Sequence, residues 1–526
     1  MSASSPGLRK GSLGTSDIAF FVISAAAPLT VMAGVAPIAL TLGGIGAPAG
    51  YLLAGLTLAI FAVGFTTMSR HVRSGGAFYA YITRGLGPAA GIGAALLAMI
   101  GYNGMEIGVF GLLGSATADT GAALWGVDIP WLPVSLAGLL IIWYGGYRSI
   151  DFGAKVLGVL LVAETGILLL LAGGVLLDGG ADGLEFSSFA PSQVLVPGTA
   201  AVLAFAFAAF TGFESTVIYR REARDPDRTV PRATYAAVAF LGTFYAFIVW
   251  TVVQAFGSEQ VVKAATDDPG GLFFAAITTY VGPGAADLMH IFIVTSIIAS
   301  LLAFHNAINR YALALAEEGV LPKSFGRIHP RHRSPYVAGI AQTALGAVVV
   351  LGFAAAGADP YTQLLLWVNT PGMIGLMALM LLTAIAIPCY FRRIRHDEGV
   401  LRTVVAPVAA AVLLAVAIYL IGTKVELFTG ASTLVNTVLL ALVPAVFVIG
   451  VGLAYRLKRR RPEVYANFAA EPPEAPEAPE APETPETPGV PEVPGAREAA
   501  GAAVPEGPER PEGTPTTEEA AHRGSS

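Results

Sequence analysis

Residues 25–37 read AAAPLTVMAGVAP, and residues 205–215 read FAFAAFTGFES. Each stretch lies inside an apolar run long enough to form one membrane helix, and each carries residues that end helices. Pro28 and Pro37 have no backbone N–H to donate, and Gly34 and Gly212 ease departures from helical geometry. Inside a bilayer, unwound backbone is tolerated only where it is buried in protein or lines a cavity. Two such interruptions, five spans apart, predict a substrate site at the middle of a transporter built from repeated halves.

Hydrophobic residues make up 54% of the chain and charged residues 13%, which excludes an ordinary soluble protein. Apolar runs of about 20 residues, the length that crosses the hydrocarbon core, recur along it. Twelve are legible: 18–42, 50–67, 89–117, 131–147, 154–177, 198–219, 235–256, 286–312, 337–356, 362–387, 403–422 and 434–455. The expected fold class is an all-α polytopic membrane protein with twelve transmembrane helices, embedded in the lipid bilayer. Between spans 7 and 8, the segment GLFFAAITTYVG (271–282) is too short to cross, and its predicted role is a half-helix lid over the outer mouth.

Charge predicts the orientation. With the N-terminus placed inside, the inner loops collect Arg220, Arg221, Arg224, Arg228 and Arg232, then Arg327, Arg331 and Arg333, then Arg392, Arg393 and Arg395. The outer loops hold only Lys263 and Lys424. This is the positive-inside pattern, and an even span count returns the C-terminus to the cytoplasm beside Arg456 and Lys458–Arg461. The expected location is the inner, cytoplasmic membrane with both termini cytoplasmic. From Pro462 onward the chain carries fourteen Glu against three Arg, so the net charge of −6 conceals a basic remainder. That tail repeats Pro and Glu with little to bury and predicts an extended, disordered segment. The expected divisions are a cytoplasmic segment at 1–14, a permease core at 15–456 and the tail at 457–526. Cys389 is the single cysteine, so no disulfide framework exists.

Three segments carry a family resemblance: SGGAFYAYITRGLGPAAG (74–91), FTGFES (210–215) with EARDPDRTVPRA (222–233), and NAINRYALALAEEGVLPKSFGRIHPRHRSP (306–335). In order and placement they resemble signature segments of the amino acid–polyamine–organocation (APC) permeases. The resemblance implies the leucine-transporter fold, with inverted repeats over about 15–178 and 196–388 followed by two peripheral helices. It also implies that Glu164 occupies the span-5 position where proton-coupled members carry a lysine.

The breaks carry the expected substrate site. Half-helix N-termini favour a carboxylate, and half-helix C-termini favour an ammonium or a cation. Ala26, Ala27, Leu29 and Thr30 are therefore candidates to cradle the carboxylate of an amino acid, and Ala209, Phe210 and Thr211 to receive its ammonium through their carbonyls. The resemblance implies the same assignment; paired proline kinks without a ligand are the bland alternative. Phe207 and Phe210 share a face at i, i+3 and are candidate gate residues, while Phe205 is offset.

Three carboxylates lie within spans, where a charge is expensive and functional by default. Glu164 is the candidate proton-coupling group, against the alternative of a structural bond to span 1 or span 8. Asn103 and Glu106 share a face and are candidates to read a polar group of the substrate. Beside them Gly101, Gly104, Gly108 and Gly111 form a stripe suited to close helix packing. Gly212 and Glu214 are expected to shape the span-6 break. Ser296 and Ser300, one turn apart, are candidate sodium ligands, although such hydroxyls more often bond their own backbone. His305 reads as a polar interhelical contact in preference to a proton relay.

No GxxxxGK[ST] loop, HExxH or Cys/His cluster is present, so neither ATP drive nor a metal or other cofactor is expected. The basic loops follow from topology and require no nucleic acid. The sequence thus predicts a non-enzymatic secondary transporter importing an amino acid, coupled to protons, with sodium as the alternative ion. A polyamine or organic amine carrier and an amino acid exchanger are the near alternatives. A membrane sensor or membrane-embedded enzyme is the distant one.

Overall fold

Prolines divide the first apolar run into three helices. In the computed structural model, which describes residues 13–72, 77–148 and 154–469, α1 covers Thr15–Ala25, α2 Pro28–Gly34 and α3 Ala36–Gly43. Pro28 opens α2 and Pro37 sits in the first turn of α3, positions where a missing N–H costs no helical bond. Between α2 and α3, Val35 leaves helical geometry and the Ile38 N–H turns to the Val35 carbonyl. The Gly34 carbonyl is taken instead by the Tyr361 hydroxyl at 2.9 Å.

The chain continues through α4 (Ala47–His71), α5 (Ala77–Leu86), α6 (Pro88–Trp125), α7 (Trp131–Tyr147), α8 (Ala154–Asp178) and the single turn α9 (Pro191–Val194). Then follow α10 (Thr199–Ala209), a 3-10 helix over Phe213–Arg221, α11 (Pro226–Phe256), α12 (Val261–Asp267), α13 (Leu272–Tyr280) and α14 (Pro283–Glu317). The last part comprises α15 (Tyr336–Ala355), α16 (Leu366–Phe391), α17 (Ala406–Thr423), α18 (Val425–Thr429), α19 (Thr433–Arg460) and α20 (Pro462–Ala466).

Among the described residues there is no β-strand, and eleven helical stretches are long and apolar enough to cross a membrane. The one remaining run, the fourth in order, forms α7, which has 17 residues and falls short of that length.

Close helix contacts set the positions of the broken helices. The glycine stripe of α6 lies against α16 and the turn before it. A Cβ on Gly372 would come within 2.9 Å of the Gly101 carbonyl, and one on Gly104 within 2.9 Å of the Val368 carbonyl. Backbones therefore touch there, as small residues permit in a bilayer. A second close approach joins α4 to α11, where a Cβ on Gly55 would lie 3.3 Å from the Gly242 Cα. Between these rigid pairs, α1 packs on α8 and α11, α2 on α14, and α10 on α3 and α4. The predicted lid is helical as α13 and packs on α14, with Phe273 and Ile277 fully buried.

The expected boundary at 456/457 falls inside α19, which runs to Arg460. Beyond it, α20 adds a short helix, and Phe468 and Ala469 are buried at 3% and 1% exposure. Val464, Tyr465 and Phe468 are apolar side chains at the start of an otherwise Pro/Glu-rich stretch, and they dock. The Pro/Glu repeat itself, and residues 1–12, lie outside the described residues.

Candidate functional site

The first break is a two-residue interruption. After α1 ends at Ala25, Ala27 adopts φ 45°, a left-handed conformation that costs a residue with a Cβ on the order of 1–2 kcal/mol. Ala27 is 2% exposed, so the surrounding packing maintains the strain. The second break follows α10: Phe210 and Thr211 leave the helix, and Gly212 turns the chain at φ 108° into the 3-10 segment. Glycine is required at that angle. The breaks meet, since a Cβ on Gly212 would lie 4.0 Å from that of Ala25.

Between them lies a cavity of about 80 Å³. Ala25, Ala26, Thr30, Ala208, Ala209 and Thr211 line it from the broken helices. Met105 and Val109 of α6, Ser300 and Phe304 of α14, Asn369 and Met373 of α16, and Phe205 and Phe428 complete much of the wall. Polar groups on this wall are hydroxyls and one amide; no ionisable side chain is among its lining residues.

Several sequence expectations are thereby relocated. Ala26, Thr30, Ala209, Thr211 and Ser300 are on the wall. Ala27 and Leu29 are buried behind it, and the Leu29 N–H faces the Glu164 carboxylate instead of the cavity. Phe207 and Phe210 are also off the wall. Phe210 is fully buried, and its ring tip packs against both Gly55 and Gly242, where an added Cβ would lie 3.3 and 3.5 Å from its Cζ. The offset Phe205 faces the cavity, with its ring 6.0 Å from that of Phe428.

Glu164 is 4% exposed and joins the broken helix to α14. The Ser296 hydroxyl and the Leu29 N–H face its carboxylate, and Ser296 Oγ lies 2.7 Å from Thr30 Oγ1. One carboxylate oxygen, Oε2, has no hydrogen-bond partner, nor has the nearby buried hydroxyl of Tyr245. Ser296, a candidate sodium ligand, is thus engaged with Thr30 and Glu164. The sequence reading did not single out Tyr245, whose signal was only a tyrosine in an apolar span.

Asn103 and Glu106 are not on the cavity wall. Asn103 donates to the Met99 carbonyl of its own helix at 2.7 Å. Glu106 is 1% exposed, receives the Gln342 amide and lies 3.2 Å from His305 Nδ1. The glycines of α6 turn toward α16, so the opposite face carries Glu106 to α14 and α15. His305 is, as expected, an interhelical polar contact.

Below the cavity, Glu214 clamps the second break. It accepts from the Gly212 N–H at 2.9 Å and from the Tyr102 hydroxyl. Tyr102, one residue before Asn103, was not anticipated. It ties α6 to the second break. Beside α1, the Leu13 N–H donates to the Glu222 carbonyl and the Leu13 carbonyl accepts the Arg224 N–H, each at 3.0 Å.

Comparison with known proteins agrees with this architecture. The family model for amino acid permeases matches residues 17–464. An uncharacterized transporter of Mycobacterium tuberculosis (strain ATCC 25618 / H37Rv) is 30% identical over 310 residues, covering 53% of this chain and 62% of its own. A second from the same strain is 29% identical over 143 residues, 27% of this chain and 31% of its own. The low-affinity putrescine importer PlaP of Escherichia coli (strain K12) is 25% identical over 298 residues, 55% of this chain and 63% of its own. These alignments span less than two thirds of each relative. The family match, in contrast, covers the broken helices, the cavity and the clamp together, and the chain belongs to the amino acid permease family.

Proposed function

We propose that this protein is a proton-coupled secondary transporter that imports an α-amino acid with an uncharged, apolar side chain across the cytoplasmic membrane. The observation that carries the reading is the cavity where two helix breaks meet, whose lining residues include no ionised side chain. The α-carboxylate and α-ammonium of an amino acid neutralise each other at short range and suit half-helix ends. The side chain then meets Met105, Val109, Phe205 and Phe304. Transport proceeds by alternating access around the breaks, and Glu164 carries the proton. The basic loops support cytoplasmic termini, and the order of the helices supports an inverted repeat with two peripheral helices.

An amine carrier is the second reading, favoured by the putrescine importer among the relatives. A diamine presents a second ammonium that needs an acid at the cavity, and Glu106 is turned away to His305 and Gln342. Purified protein in proteoliposomes tests both. Labelled leucine should accumulate when the lumen is made alkaline, and excess putrescine should not compete. Accumulation of putrescine alone would establish the amine reading, and transport of neither would overturn both substrate readings.

A further inference from the structure

We propose that the C-terminal segment Pro462–Ala469 is a built-in lock on the second helix break, so that the 3-10 segment Phe213–Arg221 moves only when the C-terminal segment undocks. The inference is independent of which substrate is carried. The segment leaves its own helix, α19, and packs on α5 and on the end of α14. Phe468 is 3% exposed, and its ring centre lies 5.5 Å from that of Tyr79 on α5. Ala469 is 1% exposed, and its N–H faces the Glu318 carboxylate at the end of α14. Glu318 also accepts the Tyr79 hydroxyl at 3.0 Å, so one carboxylate joins α5, α14 and the C-terminal segment. Val464 covers Gly319, whose added Cβ would lie 3.2 Å from a Val464 methyl. Lys458 sits over the Tyr465 ring at 5.7 Å and fixes the turn between α19 and α20.

From Phe468 a chain of rings leads to the second break. Tyr79 meets Tyr311 edge-on at 5.3 Å, and Tyr311 lies 6.2 Å from Tyr102. Tyr102 donates to Glu214, which holds the Gly212 N–H. Each ring is buried or half-buried and supports the next. Movement of the 3-10 segment that breaks the Tyr102–Glu214 hydrogen bond displaces Tyr102, which packs against Tyr311 and, through it, Tyr79. Phe468 in turn backs Tyr79. Close-packed interiors have discrete arrangements, so displacing the last ring frees those before it. Ordinary packing of a helix end would bury apolar groups on neighbours of α19 and leave α5 uninvolved.

Hydrogen exchange of the full-length protein in lipid nanodiscs tests the proposal without a substrate. Three chains are compared: wild type, Phe468→Ala, and a truncation after Arg461. In both variants the amides of residues 212–221 should exchange at least about tenfold faster. Adding the peptide PEVYANFAAEP, residues 462–472, should restore slow exchange to the truncated protein, and its Phe→Ala version should not. Exchange at 212–221 within about twofold of wild type in the truncated protein overturns the proposal. If that protein is not recovered folded, Phe468→Ala decides. Unchanged exchange at 467–469, or loosening there without loosening at 212–221, overturns the proposal equally.

Discussion

Ser296 Oγ lies 2.7 Å from Thr30 Oγ1, and both residues are buried, so a single pair of hydroxyls ties the broken first helix to α14. Ser296 also faces Glu164, which places the contact between the cavity wall and the proposed proton carrier. Ser296→Ala leaves the Thr30 hydroxyl without a buried partner. A cost of about 1–3 kcal/mol follows. It should appear as a lower Tm of the purified protein. Thr30→Val together with Ser296→Ala should cost less than the sum of the two single changes, since the pair is then removed as a unit.

Glu164→Gln retains shape and hydrogen-bonding groups but cannot ionise. If Glu164 carries the proton, the variant should still bind leucine and exchange it across the membrane. It should lose accumulation driven by an imposed pH gradient. Wild-type uptake should rise as the external solution is acidified, because protonation from that side then loads the carrier, and uptake by the variant should be flat. Gradient-driven accumulation by Glu164→Gln at the wild-type level would make Glu164 structural. A requirement for sodium with no response to pH would shift coupling to Ser296 and Ser300.

Glu106 should govern stability rather than selectivity. Glu106→Ala leaves His305 and Gln342 facing an empty position, and should destabilise by about 3 kcal/mol or more. Glu106→Gln preserves an acceptor and should cost less. Neither change should alter the ratio of leucine to putrescine competition, because the side chain is off the cavity wall. A shift of that ratio in Glu106→Gln would return Glu106 to the substrate.

Glu318 supplies a pH test at the C-terminal contact. Burial raises its carboxyl above the ordinary value, with Glu317 adding to the shift and the Tyr79 hydroxyl and Ala469 N–H opposing it. A carboxyl whose folded pKa is raised favours the folded state fully below its ordinary pKa, near 4.3, and that contribution is lost as pH rises through the raised value. The Tm of Glu318→Gln relative to wild type should therefore increase as pH rises across that window. A difference that does not change with pH would show the carboxylate to be fully compensated by its two donors.

The breaks were legible in the sequence because proline and glycine act locally. Pro28 begins a helix and Gly212 turns one, whatever surrounds them. The glycine stripe of α6 was legible for the same reason, since absent side chains leave a groove wherever they recur at helical spacing. What was not legible was which face of each helix meets the cavity. Phe205 and Phe210 differ by five residues in one apolar run, and composition alone does not orient them. The orientation depends on Gly55 and Gly242, two remote glycines whose missing side chains leave space for the tip of the Phe210 ring. Likewise, Leu29 was expected at the substrate because it follows the break, but Glu164 from another helix captures its N–H. The docking of Phe468 was hidden by the Pro/Glu repeat that follows it, which dominates the composition of the tail.

The difference between Ala26 and Ala27 gives the sharpest test of the cavity. The two are adjacent at the first break, and the sequence treats them alike. Ala26 lines the cavity, while Ala27 is turned behind it at φ 45°. A large side chain at Ala26 points into open space of about 80 Å³ and should fill it. Ala26→Phe should therefore abolish leucine binding while the protein inserts and keeps a Tm close to wild type. At Ala27 added bulk meets close-packed neighbours, and β-branching worsens a left-handed backbone, so Ala27→Val should destabilise by about 2 kcal/mol or more. Ala27→Gly removes the Cβ that makes φ 45° costly. Its gain in backbone comfort opposes the loss of about 1 kcal/mol from greater freedom in the unfolded chain, so Tm should change little. Binding isotherms and thermal melts of the three variants separate the roles. Normal leucine binding by Ala26→Phe would place the substrate elsewhere, whatever the two Ala27 variants do.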